Sequence, residues 1–329
     1  CPVPRQGGSW CVAAETTPSF TFTERMRILH GPGRRAVLVS AAVLMTAGAT
    51  TGCGGGGDGV LPPVTTSTVT VTATPVSAPV PSRTPTSSAS AHRTLLVSAL
   101  EGAIGRAGQP VGVAIVPVGK SEPVITAGDQ TPMVAWSTIK VPLAVASERA
   151  GGQSAPQTQA IVESDNSAAE SLWASIGSDT DAAAAVTAIL REAGDTTTTV
   201  PSAQLRAGFT TFGQTTWPLA AAAAFTAHLP CMAGTEHVLA LMGQVAGNQQ
   251  WGVEAMAAPS STAVKGGWGP GPFSGEVVRQ IGLVTHSDGT MTAIAMATQG
   301  ASLDSGVAAI NVVAQQLDTM LRKLPRGRC

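Results

Sequence analysis

Hydrophobic and polar positions repeat with two different periods at the start of the folded region. Residues 94–107 carry apolar side chains at helical spacing, which predicts an amphipathic helix. Residues 111–118 and 123–127 are rich in β-branched and apolar residues and predict two short strands. Residues 119–121, Gly-Lys-Ser, separate these runs and indicate a hairpin. The folded region is therefore expected to open with a helix and a β-hairpin.

A long helical block and a second group of strands follow. Residues 138–224 are dominated by alanine and by helical spacing. Three further strand-like runs are residues 261–265, 277–285 and 290–298. Residues 307–321 predict a closing helix. This order predicts an α+β fold in which terminal helices flank a five-stranded antiparallel sheet, with a cleft between the sheet and an inserted helical lobe.

The N-terminal segment has the pattern of an export signal. Residues 26–52 contain a short basic region, an apolar run over residues 36–47 and a group of small residues. That run is too short for a spanning helix, which needs ~20 apolar residues, and it predicts a signal peptide. Gly52-Cys53 resembles a bacterial lipobox, although Thr50 departs from the usual aliphatic residue, and predicts lipidation of Cys53. An ordinary signal peptide cut nearby is the alternative.

Composition changes again on either side of this signal. Residues 1–25 precede Met26, show no periodicity, and are interpreted as an upstream extension. Residues 53–91, the predicted lipidated cysteine and tether, are rich in Gly, Thr, Ser and Pro. In polyproline II form the tether would reach ~100 Å. Residues 92–329 form the predicted folded domain, at the outer face of the cell membrane or secreted.

Charge and composition exclude several classes of function. The net charge is -1 and no dense basic cluster occurs, which argues against nucleic acid as a partner. The 5 histidines are scattered without ligand spacing, so neither a metal nor another cofactor is expected. Tyrosine is absent, which excludes a tyrosinate base. Cys231 and Cys329 could form a disulfide or remain two thiols. A monomer is expected.

The first candidate for chemistry is Ser137-Thr138-Ile139-Lys140, at the start of an apolar helix. Positions i and i+3 share a helix face, so Lys140 can reach the hydroxyl of Ser137 as a base beside a nucleophile. The first helical turn also offers unpaired N–H groups to an oxyanion. The motif alone is weak, because a helix cap and a surface lysine would give the same pattern.

Two further motifs make the pattern more specific. Ser164-Asp165-Asn166 lies in the helical block, and Lys265-Gly266-Gly267 ends the third predicted strand. Together with Ser137-x-x-Lys140 they are near matches, in order, to the three elements of penicillin-recognising enzymes. Residues 95–321, including the flanks of these motifs, resemble a class A serine β-lactamase or a related penicillin-binding-type serine hydrolase.

The resemblance implies a role for each residue. Ser137 would be the acylated nucleophile, Lys140 its base and Ser164 the proton shuttle to the leaving nitrogen. Asn166 would hold Lys140 and the substrate amide, and Lys265 would supply positive charge.

The remaining implied roles concern binding of the substrate. The backbone N–H groups of Ser137 and Trp268 would form the oxyanion hole. Gly267 and Arg279 would bind the substrate, with Arg279 at its carboxylate.

Three departures from the family pattern are evident. The interval from Ser137 to Ser164 is short, which implies a reduced helical lobe. Gly266 replaces the usual hydroxyl residue, so one hydrogen bond to the substrate carboxylate is missing. Residues 196–213 contain no Glu, Asp or His, so the element that positions the deacylating water in that family is absent. Deacylation is therefore expected to be slow.

Other acidic residues receive a less specific interpretation. Glu163 and Glu170 flank the second motif, and solvated helix charges are the simpler reading of both. The sequence thus predicts an exported serine hydrolase, acylated at Ser137 by β-lactams or cell-wall peptide amides. The alternatives are a tethered, non-catalytic module that binds peptidoglycan peptides or β-lactams, and a D-alanyl-D-alanine carboxypeptidase-like penicillin-binding protein.

Overall fold

The computed structural model of the protein describes residues 87–329. The predicted upstream extension, the signal peptide, Cys53 and most of the tether lie outside these residues. The first helix begins at Ser87, inside the last part of the predicted tether. Within the described residues, no helix is long and apolar enough to cross a membrane.

The described residues form an α+β fold around one antiparallel sheet. The strands are β1 (Val111–Pro117), β2 (Ile125–Gly128), β3 (Met133–Val134), β4 (Thr216–Trp217), β5 (Ser261–Pro270), β6 (Glu276–Thr285) and β7 (Met291–Gly300). The main sheet has the order β2-β1-β7-β6-β5, so strands from both ends of the chain meet at β1 and β7. The prediction of a five-stranded antiparallel sheet is confirmed.

Helices cover both faces of this sheet. They are α1 (Ser87–Ile104), α2 (Lys140–Gly151), α3 (Ala155–Thr158), α4 (Asn166–Ile176), α5 (Asp179–Glu192), α6 (Leu219–His228), α7 (Glu236–Met242) and α8 (Leu303–Thr319). The terminal helices α1 and α8 pack on one face, and helices α2 to α7 form the inserted lobe on the other. The expected position of the lobe between the two groups of strands is therefore confirmed.

Alternation along β7 explains why the sheet can be buried on both sides. Ile294 and Met296 join the apolar cluster under α1 and α8, whereas Ala293, Ala295 and Ala297 join the cluster under the lobe. Successive side chains of a strand point to opposite faces, so this period of two separates the clusters. The small alanine side chains let α6 pack closely on β1 and β7.

Two local features differ from the sequence prediction. The third predicted strand was expected to end at Lys265, but β5 continues through Gly266 and Gly267 to Pro270, paired with β6 along its whole length. Glycines weaken a strand in isolation, and here ten cross-strand pairs with β6 maintain it. A second, two-stranded sheet, β3 with β4, was not predicted, because two-residue strands have no detectable period.

The sequence left open whether the two cysteines of the folded domain form a disulfide or remain thiols. Cys231 and Cys329 form a disulfide with a Cα–Cα distance of 5.3 Å. The bond joins the C-terminal residue to the short 3₁₀ turn Leu229–Cys231 after α6. The segment that it closes contains α7, the strands β5 to β7 and α8.

Candidate active site

Ser137 lies between the small sheet and the lobe. It follows β3 in a 3₁₀ turn, Trp136–Ile139, and α2 begins only at Lys140. The sequence predicts Ser137 in the first turn of an apolar α-helix, so the 3₁₀ turn before α2 is a correction to that prediction. Ser137 is partly exposed. A Cβ added to Gly267 would lie 2.9 Å from Ser137 N, so only glycine allows β5 to approach this closely.

Strained backbone conformations occur at Ser164 and at Trp136, the residue before Ser137. Within the described residues, the non-glycine positions with positive φ are Trp136 at 45° and Ser164 at 61°. A left-handed conformation costs such residues roughly 1–2 kcal/mol and persists only where the surroundings hold it. One strained residue precedes Ser137, and the other ends the π-helical turn Gln159–Glu163. Both deviations lie at the site that the motifs predict.

Lys140 connects the first two motifs. Its Nζ donates hydrogen bonds to Ser164 O at 2.6 Å, Asp165 O at 3.1 Å and Asn166 Oδ1 at 2.8 Å. Burial lowers the pKa of Lys140 to about 8. The negative charges of Asp165 and Glu170 act in the opposite direction and raise this pKa, but burial is the larger effect. About a tenth of Lys140 is then a neutral amine at pH 7. Among the described residues, the hydrogen bonds of Lys140 do not include one to Ser137 Oγ.

Lys265 approaches Ser164 from the sheet. Its Nζ donates to Ser164 Oγ at 2.9 Å, Gln249 Oε1 at 2.5 Å and Gly266 O at 2.9 Å. Lys265 is fully buried, and burial followed by the charge of Lys140 lowers its pKa well below the ordinary value. Ser164 thus joins the lysines, because its carbonyl accepts from Lys140 and its hydroxyl accepts from Lys265.

Gln249 holds this arrangement and was missed in the sequence. It is fully buried, and its Oε1 also accepts from Gly266 N at 3.0 Å. Its Nε2 donates to Ile161 O and Val162 O, which belong to the π-helical turn before Ser164. Gln249 therefore ties β5 to that turn. No local pattern distinguishes it from Gln250 next to it, which is exposed.

Arg279 occupies a buried position behind the site. It pairs with Gly267 in the sheet, and its Nη1 donates to the carbonyls of Met133, Val134 and Trp217 in the small sheet. Its Nε and Nη2 are buried without a partner among the described residues. Burial lowers the pKa of Arg279. The residues that line the cleft do not include it, although the sequence predicts that it binds the substrate carboxylate.

A cleft of about 390 Å³ opens above Ser137. Its lining residues are Trp136, Ser137, Asn166, Glu170, Gly208, Phe209, Thr210, Phe212, Trp268, Gly269, Pro270 and Glu276. The structure therefore brings Ser137, Asn166 and Trp268 to one cleft, with Lys140, Ser164 and Lys265 connected beneath it by hydrogen bonds.

The outer wall of the cleft is formed by the loop of residues 196–213. Phe209 packs against Trp136 with ring centroids 5.2 Å apart, edge to face. The guanidinium of Arg206 lies 4.7 Å from the Phe209 ring and donates to Pro270 O. Residues 87–329 contain no cluster of three or more His, Cys, Asp or Glu side chains that could bind a metal ion.

Comparisons with known proteins agree on the fold. No protein-family model matches the chain, and no curated protein matches it. A solved β-lactamase from Burkholderia vietnamiensis is 20% identical with a TM-score of 0.53, covering 69% of this chain and 96% of that one. An ancestral class A β-lactamase is 19% identical with a TM-score of 0.51, covering 68% and 98%. A β-lactamase from Desulfarculus baarsii is 18% identical with a TM-score of 0.50, also covering 68% and 98%. The described domain therefore has a β-lactamase-like fold.

Proposed function

We propose that this protein is an exported serine hydrolase that is acylated at Ser137 by β-lactams or by cell-wall peptide amides. One observation carries the proposal. Ser164 accepts hydrogen bonds from both lysines, with its carbonyl from Lys140 and its hydroxyl from Lys265, and the partly exposed Ser137 lines an open cleft. A nucleophile with a nearby amine base and a hydroxyl relay is what acyl transfer from an amide needs.

Acylation begins with Ser137. Lys140 in its neutral form accepts the proton of Ser137 Oγ while the oxygen attacks the amide or lactam carbonyl carbon. The resulting oxyanion is stabilised by the N–H groups of Ser137 and Trp268. As the C–N bond breaks, the proton passes from Lys140 through Ser164 Oγ to the leaving nitrogen. Asn166 orients the Lys140 amine and the substrate amide.

Positive charge supports binding of the substrate carboxylate. Lys265 contributes from beneath Ser164, and the unpartnered Nε and Nη2 of Arg279 supply further positive potential behind Gly267. Gly266 lacks the hydroxyl that the family uses at this place. We therefore expect carboxylate binding to be weaker by one hydrogen bond, about 1.5–3 kcal/mol when the partner is charged.

Hydrolysis of the acyl-enzyme is proposed to be slow. The loop that walls the cleft supplies aromatic rings and Arg206, with no Glu, Asp or His between residues 196 and 213. We expect a burst of about one acylation per site, followed by a slow steady state limited by deacylation.

Mass spectrometry after mixing with benzylpenicillin tests the function. A long-lived adduct on Ser137 supports a penicillin-binding type of activity, and an adduct that turns over supports a β-lactamase. Absence of any adduct would favour the non-catalytic binding module instead.

Anchoring is a separate part of the proposal. Cys53 ends a signal-like run and begins the tether, so Cys53→Ser should release the protein from membranes into the aqueous fraction. Unchanged partitioning of this variant would refute the lipoprotein anchor while leaving the chemistry intact.

A further inference from the structure

Glu170 is a carboxylate on the lobe side of the cleft that the acylation steps above do not use. It lies four residues after Asn166 on α4, and residues at i and i+4 share one helix face. Glu170 lines the cleft together with Ser137 and Asn166. Its negative charge raises the pKa of Lys140, whose dominant shift is the lowering by burial. Among the described residues it makes no hydrogen bond or ion pair.

The other nearby carboxylates are less suited to act at Ser137. Asp165 caps α4, where its Oδ1 accepts from Ala168 N at 2.6 Å. Glu163 does not line the cleft. Glu276 does, but it pairs with Pro270, three residues along β6 from Arg279, the partner of Gly267. At ~3.3 Å per residue that is about 10 Å from the strand position beside Ser137.

We propose that Glu170 is the general base that activates the deacylating water at Ser137. The inference rests on the proposed function, because it concerns hydrolysis of the Ser137 acyl-enzyme. It assigns the catalytic carboxylate to α4, on the lobe side of the cleft, and deacylation by this base remains the slow step of the proposed function.

The deacylation step balances with Glu170 and water alone. The Glu170 carboxylate takes one proton from a water molecule in the cleft as the water oxygen bonds to the ester carbonyl carbon. The tetrahedral adduct then collapses, the bond from carbon to Ser137 Oγ breaks, and Oγ receives the proton held by Glu170. The products are a carboxylic acid and the free Ser137 hydroxyl.

The role of Glu170 as the base predicts that its replacement affects acylation and deacylation in opposite ways. Its negative charge raises the pKa of Lys140, so its removal lowers that pKa further and leaves more neutral amine for acylation. Glu170→Gln should therefore acylate as fast as the wild type or faster, while its deacylation slows. A variant that merely loosened the lobe would slow both steps.

The experiment follows benzylpenicillin adducts of the full chain by quenched mass spectrometry. Glu170→Gln should retain the burst and lose about 100-fold in the deacylation rate, the lower end of the range for a general base. Glu163→Gln, a nearby glutamate outside the cleft, is the matched control and should behave as the wild type. Glu170→Ala should regain deacylation on addition of formate, which supplies a small carboxylate.

Each outcome bears on the assignment. Wild-type deacylation by Glu170→Gln, with an adduct formed normally, would overturn the role of Glu170 and leave the proposed function standing. Failure of wild-type protein to form any adduct would overturn both. A deacylation rate that rises with pH through 8 in Glu170→Gln and the wild type alike would assign the base to Lys140 instead.

Discussion

The floor and the outer wall of the cleft differ in the side chains that they present. The floor consists of Lys140, Ser164 and Lys265, and the wall is the loop of residues 196–213. Beneath Ser137, Lys140 and Lys265 each make three hydrogen bonds, all to uncharged acceptors. The wall offers the ring of Phe209 beside Trp136 and the guanidinium of Arg206 that lies over it. A preorganised polar floor favours charge development at Ser137, whereas the wall provides shape without a proton acceptor. Attack on a substrate and release of the acyl group can therefore be supported by different parts of one cleft.

The largest effect is expected at the nucleophile itself. Ser137→Ala should reduce acylation by at least ~10³-fold, because it removes the oxygen on which the ester forms. Ser137 Oγ makes no hydrogen bond among the described residues, so the free energy of unfolding should change by no more than about 0.5 kcal/mol. Labelling by a fluorescent penicillin and thermal unfolding measure the two quantities. Labelling at the wild-type rate would refute the site.

The role of Lys140 as the proton acceptor predicts how the acylation rate depends on pH. The pKa of Lys140 is lowered to about 8 by burial, so the neutral amine increases as pH rises from 7 to 9. The acylation rate should rise about tenfold over this interval and then level off. Lys140→Ala should lose about 10² to 10³ in rate and lose this dependence. A profile that is flat between pH 7 and 9 in the wild type would exclude Lys140 as the base.

These two residues also show how far sequence reasoning reaches. Strands such as β1 and β7 were predictable because short runs of β-branched and apolar residues are typical of strands that are buried on both faces. Helical spacing and the two companion motifs also predicted a role for Ser137 and Lys140, and that role remains a prediction. By contrast, Gln249 acts through contacts with residues distant in the chain, which no local pattern encodes. The same holds for the Cys231–Cys329 disulfide.

The position of Glu170 was hidden for a different reason. A glutamate on an amphipathic helix is usually a solvated charge, and Glu170 is indeed exposed. Only the packing of α4 against α2 brings it to the same cleft as Ser137. The two-residue strands of the small sheet were likewise beyond reach, because their pairing depends on the loop that returns at Thr216.

An intermediate effect is expected at Gln249, whose side chain connects Lys265 and β5 to the π-helical turn before Ser164. Gln249→Leu removes one of the three acceptors of Lys265 and the side-chain acceptor of Gly266 N. It also removes a donor from the carbonyls of Ile161 and Val162, although Val162 O still accepts from Ala246 N. Leaving buried groups unsatisfied costs about 1–3 kcal/mol each, and partial relaxation should bring the total loss in unfolding free energy to roughly 3 kcal/mol. Acylation should fall about tenfold as Lys265 loses its position.

The exposed neighbour supplies the control for that change. Gln250→Leu has the same chemistry but removes only the bond from Nε2 to Val245 O. Its unfolding free energy should change by less than about 1 kcal/mol, and its acylation rate should not change. Equal losses in both variants, measured by denaturant unfolding, would remove the assigned role of Gln249 in holding the floor.

The smallest effect is expected at the wall. Phe209→Ala removes an edge-to-face contact with Trp136 and the surface over which Arg206 lies. Such an aromatic pair contributes about 0.5–1.5 kcal/mol beyond its buried area, so unfolding should become easier by about 1 kcal/mol. The acylation rate should fall less than threefold, because Phe209 offers no proton and bonds to none of the polar groups on the floor. Phe209→Leu, which keeps much of the apolar volume, should have an unfolding free energy and an acylation rate between those of Phe209→Ala and the wild type.

A fall of 100-fold or more in the acylation rate of Phe209→Ala would mean that the loop holds Trp136, and with it the strained backbone before Ser137, in its reactive position. The wall would then be part of the acylation machinery, and the division of labour between floor and wall would fail.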